Sequence, residues 1–89
     1  MITKTIQVTQ TIKVTVNEAK FTSEFMAGFR DAFYPFDDLN EHIEHIAQMT
    51  ARGLLTGMED EFIEGYGKVI DMGIKAEVVD VETEVIIDV

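Results

Sequence analysis

The first sixteen residues alternate between apolar and polar side chains. Aliphatic residues occupy the even positions from Ile2 to Val16, interrupted by Lys4 and Gln10, while threonine dominates the odd positions. A period of two is the pattern of a β-strand with one apolar face. Residues 5–9 (TIQVT) recur as residues 11–15 (TIKVT), and the even offset keeps both copies in the same phase. We therefore predict one long strand over residues 2–16.

The next segment has the period of a helix. Phenylalanine recurs every four residues from Phe21 to Phe33, which places these side chains on one side of a helix. Thr22 is a good N-cap, and Pro35 ends the helical pattern. The stripe is either a core surface or a groove for a partner helix. Core is favoured, facing the sheet, because four exposed phenylalanines would form an aggregation-prone patch.

A second helix is predicted over residues 39–52. Asp38 is its N-cap, and Glu41, three residues later, completes a capping box. Gly53 marks the end, with Leu54 positioned to close a Schellman motif against the last turn. The short connection around Pro35 makes the two helices a hairpin.

The remainder of the chain contains a glycine-broken segment and a second strand. Residues 56–73 are interrupted by four glycines and predict a loop with one helical turn. Alternation returns at Ile74, and its phase changes by one residue at Val79. Such a shift predicts a β-bulge within a C-terminal strand.

The element order strand, helix, helix, strand predicts a single α+β domain over residues 1–89. In this fold a helical hairpin covers one face of an antiparallel sheet. Two strands alone make a poor sheet. Either residues 66–72 supply a third strand, or the long first strand pairs with its copy in a second chain. We predict the homodimer.

Charge changes the picture of what this domain can bind. Seventeen acidic and seven basic residues give a net charge of -10, and residues 37–89 hold fourteen of those acids against three basic groups. Bare nucleic acid is excluded as a ligand, because binding phosphates requires clustered Lys and Arg. The chain has no cysteine, no basic-then-apolar leader and no long apolar run. We expect a protein without disulfides or a membrane span, located in the cytoplasm.

No residue pattern predicts an enzyme or a cofactor. His42 and His45 lie three apart on the second helix, but neither metalloprotease spacing is present. We interpret both histidines as part of a solvated helix face, with His45 pointing to solvent; a metal site is the alternative. The only serine is Ser23, and no nucleophile elbow surrounds it. The Gly65–Gly67 segment is interpreted as a turn, and the acidic cluster after Met58 does not have the ligand spacing of an EF-hand loop.

The strongest candidate for a binding surface is acidic. In the C-terminal strand, Asp80, Glu82 and Glu84 project from one side at intervals of about 6.6 to 6.8 Å. This array either imitates a nucleic-acid backbone in the groove of a basic protein or is an ordinary solvated face. Tyr34 and Phe36, beside Pro35, are candidate interface anchors. The predicted partner-binding residues are Asp80, Glu82, Glu84, Asp88, Glu59, Asp60, Glu61, Glu64, Tyr34 and Phe36.

The middle third of the chain resembles small phage- or prophage-encoded proteins. The resemblance lies in residues 25–37 (FMAGFRDAFYPFD), 41–48 (EHIEHIAQ) and 51–54 (ARGL). Small acidic phage proteins include anti-CRISPR inhibitors, several of which block basic nucleic-acid grooves or protein interfaces of the host's surveillance complexes. The resemblance thus implies a non-enzymatic inhibitor that binds a basic host protein or nucleoprotein complex in the bacterial cytoplasm. The alternative is a structural or assembly subunit that self-associates through its long strands.

Overall fold

The computed structural model describes residues 1–56 and 61–88, the last two by their backbone alone, and confirms the α+β class and the element order. The elements are β1 (Lys4–Thr15), a 3₁₀ turn (Glu18–Lys20), α1 (Ser23–Ala32), α2 (Leu39–Ala51), β2 (Phe62–Ile63), β3 (Gly67–Lys68) and β4 (Lys75–Asp88). Among these described residues, no helix has the length and apolar character needed to cross a bilayer.

β1 and β4 form a long antiparallel ribbon. Their register runs from Thr15 opposite Lys75 to Lys4 opposite Asp88. It shifts twice, and β4 supplies the extra residue each time, Val79 at the first shift and Ile86 at the second. The long strand and the bulge at Val79 are therefore confirmed, whereas the second bulge was not predicted.

The ribbon remains two-stranded over the described part of the chain. β3 pairs with β2 in a separate two-residue hairpin, so residues 66–72 add no third strand to the ribbon. Besides this hairpin, the described residues of the glycine-broken segment form turns, and in one of them the Lys68 carbonyl accepts from the amides of Asp71 and Met72 at 3.1 and 3.4 Å, as in a single helical turn. Gly65 and Gly67 reverse the chain there with φ of 93° and 84°, values that side chains other than glycine disfavour.

The helices begin where their capping residues predict. Thr22 Oγ1 accepts a hydrogen bond from the Phe25 amide at 3.1 Å, and the Asp38 carboxylate accepts one from the Glu41 amide at 3.0 Å. The Glu41 carboxylate accepts from the amide of Asp37 at 3.1 Å, one residue before the N-cap that the capping box predicted. The bonds to Thr22 and Asp38 each satisfy an amide that the helix itself leaves unpaired.

α2 ends in the predicted Schellman motif. The Leu54 amide donates to the Met49 carbonyl at 2.9 Å, and the Gly53 amide donates to the Thr50 carbonyl at 3.0 Å. Gly53 has a φ of 75°, the left-handed conformation that this motif requires.

The hydrophobic core lies at one end of a molecule that extends 53 × 26 × 20 Å. α2 is the helix that lies against both strands of the ribbon. Phe21, Phe25 and Phe29 make ring contacts with His42 or Tyr66, so this part of the stripe is core, as predicted, while Phe33 remains exposed. The predicted orientation of the stripe toward the sheet is corrected, because α2 and not α1 is the helix packed on the ribbon. The buried apolar residues are Phe21, Phe29, Ile46, Leu55, Ile63, Tyr66, Val69, Met72 and Ile74.

Candidate functional site

The ribbon has one apolar face and one polar face. Residues directly opposite each other in an antiparallel pair share a face. The pairs Ile6–Val85 and Ile12–Val78 therefore lie on the apolar face, which α2 covers near Ile12 and Val14. The opposite face carries the odd positions of β1, four of which, from Gln7 to Lys13, lie opposite acidic residues of β4.

Four carboxylates line the polar face. Asp80, Glu82 and Glu84 are exposed and lie opposite Thr11, Thr9 and Gln7, so the predicted array shares one face. The bulge at Val79 adds a member, because the phase shift brings the exposed Glu77, opposite Lys13, onto the same face. These are the carboxylate row: Glu77, Asp80, Glu82 and Glu84.

The row has few basic neighbours across the ribbon, and its three outer members are regularly spaced. Its three outer members face neutral side chains across the ribbon, and Gln7, Thr9, Glu82 and Glu84 line a shallow open concavity. Successive members two residues apart are about 6.6 to 6.8 Å apart along a strand. A chain of cationic groups with similar spacing could contact several members at once, whereas the open shape does not enclose a small-molecule substrate.

The other predicted acidic residues are not part of this row. Asp88 pairs with Lys4 beyond the second register shift, and Glu59 and Asp60 lie outside the described residues. The Glu61 carboxylate accepts hydrogen bonds from the Thr56 amide and hydroxyl at 3.0 to 3.1 Å. The Glu61 carboxylate is thus engaged by Thr56 within the chain.

Glu64 and the two predicted aromatic anchors occupy the helical end of the molecule. Glu64 is exposed on the turn between β2 and β3. Phe36 is half-buried and stacks on Phe29, with ring centroids 5.7 Å apart. Tyr34 stacks on the outer side of Phe36 at 5.6 Å and remains exposed. Their role in partner binding stays a prediction, and they do not adjoin the carboxylate row by any described contact.

The structure corrects the predicted position of His42, which is fully buried, and of His45, which is half-buried. His42 Nδ1 lies 2.9 Å from the Tyr66 hydroxyl. Phe29 and Phe36 stand edge-to-face against the imidazole at centroid distances of 4.7 and 5.1 Å. The helical period places His42 at the border of the apolar face, and its burial depends on Tyr66, which the sequence pattern could not locate.

The His42–Tyr66 pair has a defined protonation state. Burial raises the pKa of Tyr66, so its hydroxyl keeps its proton and donates to Nδ1. Burial, followed by the repulsion from His45, lowers the pKa of His42 below 6.5. We assign the neutral tautomer with the proton on Nε2, an atom without a hydrogen-bond partner that can direct its N–H at a ring face.

The buried pair presents neither imidazole nitrogen to solvent. One imidazole nitrogen is occupied by Tyr66 and the other lies among aromatic rings. Within residues 1–56 and 61–88, no group of three or more His, Cys, Asp or Glu side chains is arranged to hold a metal ion.

The outer half of the ribbon has an uncovered apolar face. We define this half as residues 4–9 of β1 and the paired residues 82–88 of β4. Ile6, Val8 and Val85 are exposed there, beyond the reach of α2. The Gln10 side-chain amide donates to the Ala51 carbonyl at 3.4 Å, and this contact marks the point where α2 stops covering the ribbon.

Comparisons with protein-family models, curated proteins and solved structures find no match to this chain.

Proposed function

We propose that this protein is a non-enzymatic binding protein that presents the carboxylate row to a basic surface of another protein. The observation that supports this most directly is the one-sided arrangement of Glu77, Asp80, Glu82 and Glu84. These residues are exposed on the side of the ribbon away from α2, so a partner can approach them without displacing the helices. The row is positioned to steer a cationic partner and to pair with several Lys or Arg side chains.

The partner class that best fits the row is a nucleic-acid-binding protein. Its groove is lined by basic side chains spaced to contact phosphates, which a linear array of carboxylates can imitate. The resemblance to phage-encoded proteins supports an inhibitor of the anti-CRISPR type, acting on a host complex in the bacterial cytoplasm. Such an inhibitor would compete with nucleic acid for the same groove.

The test is a pull-down from bacterial host lysate with three forms of the protein. The first is wild type, the second is Glu82→Lys/Glu84→Lys, and the third is Glu44→Lys/Asp71→Lys, whose exposed carboxylates lie outside the row and outside the predicted partner-binding residues. The two variants change the net charge equally. We expect a partner that the wild type and the third form retain, that the second form loses, and that added DNA or RNA displaces.

Two results would reject this function. Equal loss in both variants would mean that only total charge matters, and a captured partner that nucleic acid leaves in place would exclude competition for its groove. Capture should also weaken steeply as salt rises, because exposed charges are screened over about 10 Å at 0.1 M ionic strength.

A structural or assembly subunit is the second candidate. It is supported by the uncovered apolar face of the outer half of the ribbon and by β1, which pairs with one strand only among the described residues. Association through this surface should persist at high salt, in contrast to binding through the carboxylate row.

A further inference from the structure

The sequence of β1 is chemically palindromic around Gln10. Reading outward from Gln10, threonine meets threonine at positions 9 and 11 and again at 5 and 15. Aliphatic β-branched residues match at positions 8 and 12 and at 6 and 14, and Gln7 matches Lys13. An antiparallel pair of identical strands related by a two-fold axis places matched positions opposite each other. Such a strand is complementary to a second copy of itself.

The edge of β1 that pairs with no described strand is suited to this pairing, and the outer edge of β4 is not. β1 is regular over its twelve residues, and its only charged side chains are Lys4 and Lys13. β4 contains both bulges and the carboxylate row, features that block edge-to-edge association through distortion and like charge. Two chains of net charge -10 meet with the least repulsion along β1.

The unequal burial of the apolar residues on the two sides of Gln10 also favours Gln10 as the centre of the pairing. Ile12 and Val14, on one side of Gln10, are half-buried, whereas Ile6 and Val8, on the other side, are exposed. A two-fold axis at Gln10 sets the exposed half of each β1 beside the covered half of its copy. The α2 helix of each chain then lies next to the apolar residues that the other chain's own helix does not reach.

We propose that two copies of this chain pair antiparallel through their β1 edges about a two-fold axis at Gln10. The result is a four-stranded sheet in the order β4, β1, β1 of the copy, β4 of the copy. Val8 lies opposite Ile12 of the copy and Ile6 opposite Val14, while threonine pairs with threonine on the polar face, all of them favourable cross-strand pairs. This proposal rests on the self-association stated above and specifies its surface and register.

Cysteine cross-linking tests the register, because the chain contains no cysteine. Opposed residues of antiparallel strands have Cα atoms about 4.5 to 5.5 Å apart, within the range that a disulfide spans. Gln10→Cys should therefore form a covalent dimer on mild oxidation. Glu82→Cys, which is also exposed but lies on an outer strand, should not, and equal cross-linking of the two variants would overturn the proposal.

A mixture of two cysteine variants tests the register independently. Gln7→Cys chains mixed with Lys13→Cys chains should cross-link to each other, whereas Gln7→Cys alone should remain monomeric on a denaturing gel. The reverse result, cross-linking of Gln7→Cys with itself, would move the axis away from Gln10 and refute the palindromic register.

The second test uses two valines of matched exposure on the same face. Val8 is 55% exposed and Val85 54% exposed, but only Val8 lies at the proposed interface. Light scattering should give twice the 10.0 kDa mass of one chain for the wild type and for Val85→Lys. Because the axis introduces the Val8→Lys change at two sites, we expect its dimer dissociation constant to rise by about 30-fold.

These outcomes separate the dimer from the binding function. A monomer mass for the wild type at high micromolar concentration would overturn the dimer and leave capture by the carboxylate row measurable. Equal dissociation of the Val8→Lys and Val85→Lys variants would replace edge pairing with face-to-face packing. The Glu82→Lys/Glu84→Lys variant should remain a dimer even where it loses its partner.

Discussion

Removing one hydroxyl from the buried His42–Tyr66 pair should destabilise the whole domain. Tyr66 is 5% exposed and His42 is fully buried, so water cannot replace the 2.9 Å hydrogen bond that Tyr66→Phe would delete. Nε2 already has no hydrogen-bond partner, and the variant would leave Nδ1 without one as well. An unsatisfied buried acceptor costs about 1 to 3 kcal/mol, a large part of the roughly 4 to 13 kcal/mol expected for a chain of this length.

Urea unfolding followed by circular dichroism at neutral pH measures this cost. With a denaturant slope of about 1 kcal/mol/M, the midpoint should fall by roughly 1 to 3 M for Tyr66→Phe. Tyr34→Phe is the matched control, because it deletes the same atom from an exposed ring, and its free energy of unfolding should change by less than about 0.5 kcal/mol.

A double-mutant cycle refines the test. The double variant His42→Leu/Tyr66→Phe removes both polar groups. Its loss of unfolding free energy should therefore be smaller than the sum of the losses in the two single variants. If Tyr66→Phe were no more destabilising than Tyr34→Phe, or if the cycle were additive, the hydrogen bond would contribute nothing and the assigned tautomer would have no basis.

Two further predictions concern pH and backbone conformation. Burial lowers the pKa of His42 in the folded protein below its ordinary value of 6.5. As the pH falls, the histidine of the unfolded chain is therefore protonated before that of the folded chain. The free energy of unfolding should thus decrease below about pH 6.5. Chemical unfolding at several pH values should show this loss in the wild type and a smaller one in His42→Leu; equal losses would contradict it. Gly53→Ala and Gly73→Ala both force alanine into a positive φ, costing about 1 to 2 kcal/mol, but only at Gly73 would the new Cβ meet the Asn17 Cβ at 2.6 Å. Gly73→Ala should therefore have the lower thermal midpoint, and equal midpoints would mean that Asn17 moves aside.

The sequence predicted features that depend on nearby residues. The period of two in β1, the caps at Thr22 and Asp38 and the bulge at Val79 are all determined within a few positions of the chain. The predicted phase change at Val79 also implies that Glu77, before the bulge, lies on the same face as Asp80, so Glu77 could have been predicted as a member of the carboxylate row.

The features that the sequence did not predict depend on a distant contact or produce no visible change in the sequence pattern. The burial of His42 depends on Tyr66, 24 residues later. The second bulge lies where Val85, Ile86 and Ile87 are all apolar, so no change of phase is visible in the sequence. The pairing of β3 with β2 alone depends on the positive φ of Gly65 and Gly67, which composition indicates only as a turn.

The proposed dimer and the proposed binding function support each other through the symmetry of the sheet. A two-fold axis perpendicular to the sheet at Gln10 puts the two helical ends on one side and both carboxylate rows on the other. The rows then follow the two outer strands, three strand spacings or about 14 Å apart. A dimer therefore presents two antiparallel lines of negative charge on a single face, with threonine and glutamine between them. Because linked sites raise apparent affinity without new contacts, a partner with basic groups along both lines should bind the wild-type dimer more tightly than the Val8→Lys variant at a concentration where that variant is a monomer.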